Sequence, residues 1–179
     1  MDLLFSGRSI WTMVHGIVLG GAALMGLAAA LFSLRAMRSA TDRNVVDESQ
    51  AQLLAWLMVG VAVMLWLTVI VGTYVTFPPY RATPPEGLTD LSAYPRSLLR
   101  ANPQTAWLHS VAMETKEHVP WIAAMLATAA AFIGMRYRSR MLGDAVLRRV
   151  TATLVAISFA LVAAVALLGV FINKVAPLE

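Results

Sequence analysis

Four long apolar stretches constrain this sequence more than any other feature. A helix needs about 20 apolar residues to cross a bilayer core, and we predict spans at residues 10–34, 53–77, 112–135 and 150–172. With 59% hydrophobic and only 13% charged residues, the chain lacks the charge that covers the surface of a soluble domain of this size. The sequence therefore predicts one all-α domain, an integral membrane four-helix bundle in a lipid bilayer.

The arginines of two short connections predict the orientation, because Lys and Arg accumulate in cytoplasmic loops. Of the 14 basic residues, eight lie in these connections: Arg35, Arg38, Arg43, Arg136, Arg138, Arg140, Arg148 and Arg149. We expect these connections in the cytoplasm of a cell with a bacterial-type plasma membrane, both termini outside, and the arginines beside lipid headgroups. Since the basic residues flank apolar spans and form no groove-reading stripe, a nucleic-acid partner is excluded.

The connection between the second and third spans, residues 78–111, is long for so small a bundle. Its prolines impose extended or turn geometry. Connections of that length are usually functional or disordered, and the Tyr, Leu and Trp content here argues against disorder. We expect an ordered cap over the extracytoplasmic end.

Two further patterns predict where one helix packs closely on another and where a helical turn faces water. Gly16 and Gly20 have a spacing that lets a neighbouring helix approach closely. The pattern of Glu114, Lys116 and Glu117 is typical of a solvated, salt-bridged helical turn.

The histidines carry the strongest functional signal. Because the chain has no cysteine, c-type haem attachment, disulfides and thiolate metal sites are excluded. His15, His109 and His118 are all predicted on the extracytoplasmic side. His15 lies within the first span and His118 at the mouth of the third, at comparable depth on helices that can face each other. An ionisable group inside a span is a functional candidate by default.

We therefore predict a b-type haem with His15 and His118 as axial ligands. Neutral imidazoles from facing helices can ligate the iron, and an apolar bundle can bury the macrocycle. Arg81, Arg96 and Arg100 are candidates to pair with the haem propionates. In layout this resembles small bacterial membrane cytochromes b. The predicted function is that of an electron-transfer subunit of a respiratory-type complex, working with quinone or an external cytochrome and not as a stand-alone enzyme.

Two alternatives stay open. One is an outward-facing copper or zinc site, although its ligands show no diagnostic spacing. The candidate metal ligands are His15, His109, His118, Glu114, Glu117 and Met113. The other is a non-catalytic structural or assembly subunit, which acts with partner subunits or as a homodimer and whose histidines are polar interface residues.

Overall fold

The computed structural model describes residues 6–41 and 48–176, and every regular element in these ranges is a helix. In chain order the helices are α1 Gly7–Met37, α2 Glu48–Tyr80, the short α3 Pro95–Ala101, α4 Leu108–Arg136, the short α5 Arg138–Gly143 and α6 Ala145–Val175. Four of them, α1, α2, α4 and α6, are long and apolar enough to cross a membrane. The predicted multi-pass, all-α membrane protein is thus confirmed. Arg43, part of the orientation signal, lies outside the described residues.

The four long helices form a closed ring. Helix α1 packs against α2 and α6, and α4 packs against the same two helices from the other side. Helix α4 contributes a stripe of small buried residues, among them Ala123, Ala127 and Ala130. Ala127 and Ala130 belong to the same core cluster as larger side chains such as Leu27 and Leu54. Small residues on one helix let its neighbours approach closely, which is how helices associate in a bilayer.

Helices α1 and α2 approach each other closely at Gly26. A Cβ atom placed there would lie 2.5 Å from Cγ2 of Val61. Gly16 faces open space, and Gly20 approaches only the His15 carbonyl of its own helix. The close packing predicted at Gly16 and Gly20 is therefore wrong in position and occurs further along α1.

One end of the bundle, which we call the terminal end, is where the described chain both begins and ends. The Arg8 guanidinium donates to the Pro79 carbonyl at 3.1 Å and to the Ala93 carbonyl at 3.3 Å. These bonds tie the start of α1 to the end of α2 and to the following connection. An apolar cluster joins the same end of α2, α4 and α6 through Tyr80, Leu99, Leu108, Ala112, Met113, Ile172 and Ala176.

The connection between α2 and α4 spans 81–107 and is shorter than predicted. Helix α2 continues through Pro78 and Pro79 and ends at Tyr80. Helix α3 anchors the connection by burying Leu99 completely. Nearby, the Ser92 backbone N–H donates to Asp90 at 3.0 Å and holds the pKa of that carboxyl below its usual range.

At the opposite end, Arg148 departs from its predicted role. Its side chain is 8% exposed, and Nη1 donates to the Met141 carbonyl at 2.7 Å. Arg148 therefore joins α5 to α6, and its prediction as a lipid contact is wrong. Arg149 beside it is exposed.

Candidate functional site

Three of the four long helices contain a π-helical segment: Val14–Gly20 in α1, Gly72–Thr76 in α2 and Leu108–Met113 in α4. Such segments are rare and frequently lie at functional sites. His15 and His109 each lie in one of them, and Gly72 of the third contacts His15. This concentration marks the region near the terminal end as the candidate functional site.

A polar cavity of about 220 Å³ lies at the terminal end. Its lining comes from the last turn of α2 and the residue after it, from α3 and from the first turns of α4: Phe77, Arg81, Arg96, His109, Glu114 and Glu117. The cavity thus unites two arginines predicted for propionates with three residues predicted for a metal. The sequence placed these residues in two separate sites.

Tyr80 fixes the position of His109. The Tyr80 side chain is 4% exposed, and its hydroxyl lies 2.9 Å from Nδ1 of His109. Phe77 stacks on Tyr80, with ring centroids 6.0 Å apart and planes 17° apart. The other ring nitrogen of His109, Nε2, has no protein partner among the described residues. Sequence reasoning missed Tyr80 as a site residue, because no pattern around it points to a histidine 29 positions away.

Four charged side chains line the cavity without bonding to the rest of the protein. Within the described ranges, Arg81, Arg96, Glu114 and Glu117 make no side-chain hydrogen bond and no ion pair. The only ring contact is that of Arg81, whose guanidinium lies 5.3 Å from the Phe77 centroid. The Nε atom of Arg96 is buried and has no acceptor among the described residues, and a buried donor left unsatisfied costs about 1–3 kcal/mol.

His15 faces the interior and packs on α2. A Cβ atom on Gly72 would lie 2.7 Å from Cε1 of His15, so only glycine lets the α2 backbone come this close to the ring. Nδ1 of His15 is buried and has no hydrogen-bond partner in the described part of the chain. The imidazole is therefore held by packing and by a backbone hydrogen bond with Thr68, and only Nδ1 lacks a partner among the described residues.

Lys116 also turns into the bundle. Its Cε would lie 3.4 Å from a Cβ atom on Gly169 of α6, and its charge acts on His15. The prediction of a solvated, salt-bridged turn is wrong for this lysine. A helical-face count would have found it, because Lys116 continues the buried stripe of Ala112, Ala123 and Ala127 at spacings of four, seven and four.

His118 lies on the other side of α4. Its side chain is exposed, and Nδ1 is 2.8 Å from the Glu114 carbonyl of its own helix. Two residues apart on a helix differ by about 200° of rotation, so with Lys116 inside, His118 points outward. The structure therefore does not bring His15 and His118 together as the two predicted axial ligands.

The remaining predicted site residues, Arg100 and Met113, lie outside the cavity. Arg100 is exposed and does not line the cavity, although its charge acts on His109. Met113 is buried in the apolar cluster. In the ranges that the structure describes, no three His, Asp or Glu residues are grouped so that they could hold a metal ion. The copper or zinc site therefore has no support in this geometry.

The chain matches no protein-family model, no curated protein and no solved structure.

Proposed function

We propose that the protein is a membrane-integral binding protein that holds a small polar ligand in the cavity at its terminal end. The observation that carries the proposal is the set of four charged lining side chains with no bond to the described protein. Arg81 and Glu114 are exposed, whereas Arg96 and Glu117 are half-buried. Functional sites characteristically retain partly buried charged groups that do not stabilise the fold. Pockets for drug-sized ligands measure about 300–1,000 Å³, so about 220 Å³ suits a smaller molecule.

We further propose that the cavity opens to the outside of the cell. The described arginines of the two short connections lie at the opposite end of the bundle, and those exposed there include Arg35, Arg136, Arg140 and Arg149. This charge bias supports a cytoplasmic position for that end. The connection 81–107 then caps the extracytoplasmic mouth, and both termini are outside.

Thermal unfolding of purified, ligand-free Arg96→Met protein tests the binding proposal. Methionine keeps most of the side-chain volume and removes the orphaned Nε donor, so we expect a melting temperature equal to or above that of the native protein. Tyr80→Phe is the matched structural control and should lower the melting temperature, because it breaks the bond to His109. If Arg96→Met is destabilised as much as Tyr80→Phe, the charges serve the fold and the proposal fails.

Haem-b binding in an electron-transfer subunit is a second candidate. One observation favours it: the buried Nδ1 of His15 has no partner in the described ranges, and a neutral imidazole nitrogen of this kind can ligate iron. The His15–His118 pairing would require α4 to rotate about half a turn at His118. A dithionite-reduced minus oxidised visible spectrum tests this candidate. A haem band lost in His15→Ala and His118→Ala supports it, whereas a colourless native protein eliminates it.

A further inference from the structure

The charges of the cavity are sorted by sign onto different elements. The cations, Arg81 and Arg96, come from the residue after α2 and from α3. The anions, Glu114 and Glu117, are both on α4. Three positions apart on a helix, the two glutamates share a face. The cavity therefore has one cationic wall and one anionic wall.

The cationic wall suits an anionic oxygen group. Guanidinium groups bind phosphate and carboxylate through parallel N–H bonds, and both arginines line the cavity. His109 adds a donor when Tyr80 donates its hydroxyl proton to Nδ1, because Nε2 then carries the imidazole proton. Two guanidinium groups and one imidazole, from three different parts of the chain, thus line the same space.

The anionic wall sets a second requirement. A ligand that is only an anion would face two glutamates as well as two arginines, and a ligand that is only a cation would face the arginines. Like charges in contact lower affinity and reject the wrong ligand. Only a ligand that carries both signs satisfies both walls.

We propose that the cavity binds a zwitterion whose phosphate or carboxylate contacts Arg81 and Arg96 and whose ammonium contacts Glu114 and Glu117. This inference rests on the proposed binding function and adds the class of ligand. The same chemistry has two sources at a membrane surface, a free small molecule or the headgroup of a zwitterionic lipid. O-phosphoethanolamine represents the first and phosphatidylethanolamine the second.

Titration calorimetry on the full-length protein in detergent tests the charge assignment, with phosphoethanolamine and inorganic phosphate as probes. We expect the native protein to prefer phosphoethanolamine. Arg96→Gln should weaken the binding of both probes by about 10-fold or more. Glu117→Gln should weaken the binding of phosphoethanolamine alone and abolish the preference for it. Arg149→Gln and Glu86→Gln are matched controls of the same charge at exposed positions outside the cavity and should leave both affinities unchanged. Because Arg81 is exposed, Arg81→Gln replaces Arg96→Gln if the latter does not fold.

Nanodiscs distinguish the two sources. If the ligand is a lipid headgroup, the native protein should melt at a higher temperature in phosphatidylethanolamine nanodiscs than in phosphatidylglycerol nanodiscs. Glu117→Gln should melt at the same temperature in both. Equal affinity for phosphate and phosphoethanolamine, with Glu117→Gln unchanged, would overturn the zwitterion and leave the binding function standing. Failure of both soluble probes together with no lipid effect would overturn both.

Discussion

Gly26 is the position where the packing of α1 on α2 makes its sharpest prediction. In Gly26→Ala the new Cβ would lie 2.5 Å from Cγ2 of Val61, whereas carbon atoms in contact are about 3.5–4.0 Å apart. About 1 Å must therefore be accommodated. Valine is nearly fixed at χ1 in a helix, so the side chain cannot rotate away and the two backbones must separate.

The change in the free energy of unfolding in Gly26→Ala is the sum of two opposing effects. Overpacking of this kind costs about 1–3 kcal/mol, while replacing glycine by alanine in a helix returns up to about 1 kcal/mol. Gly60→Ala on α2 is the matched control, since its Cβ would meet nothing within 4 Å and only the propensity effect remains. The difference between the two variants isolates the overlap, so we expect Gly26→Ala to be less stable than Gly60→Ala by about 1–3 kcal/mol.

The assay is reversible unfolding in mixed micelles of non-ionic detergent and dodecyl sulfate, with the free energy of unfolding as the readout. Val61→Ala in the Gly26→Ala background should recover most of the loss, because it removes the overlapping methyl groups. A double-mutant cycle then assigns the effect to this contact. Equal stabilities of Gly26→Ala and Gly60→Ala would refute the helix packing described here.

Three further predictions concern the fold and its orientation. Ser158→Ala should lower the free energy of unfolding by about 0.6–1.7 kcal/mol, because its buried hydroxyl donates to an α4 carbonyl at 2.7 Å; an unchanged value would contradict that link. Arg148→Gln should lower the melting temperature while Arg149→Gln does not, and equal effects would show that the buried bond is not stabilising. In this cysteine-free chain, an impermeant maleimide should label Glu86→Cys in intact cells and Ala145→Cys only after permeabilisation. The reverse pattern would invert the proposed orientation.

The four membrane helices could be predicted because hydropathy over about 20 residues depends on composition alone. Helix rotation could not be predicted in the same way. The π-helical segments at Val14–Gly20 and Leu108–Met113 depart from the 3.6-residue period on which face assignments rest. The prediction that His15 and His118 face each other assumed that period. It also assumed a rotation of each helix about its axis that the sequence did not specify. The stripe of small residues on α4 indicates which face of the helix is buried. Lys116 lies on that face, inside the bundle, and His118 lies on the opposite face.

The cavity could be predicted only in its components. Arg96, His109, Glu114 and Glu117 were each recognisable as functional candidates because they are polar and lie beside an apolar span. Their assembly depends on the connection 81–107, whose course is set by tertiary packing such as the burial of Leu99. Local sequence patterns do not specify contacts of that kind.

Calorimetric titration of phosphoethanolamine into the native protein and into Arg96→Gln tests most directly whether the cavity at the terminal end is a binding site. We expect saturable binding to the native protein, weakened about 10-fold or more in Arg96→Gln and unchanged in Arg149→Gln. Binding that is equally strong in Arg96→Gln would contradict it, because the ligand would then occupy some other part of the molecule.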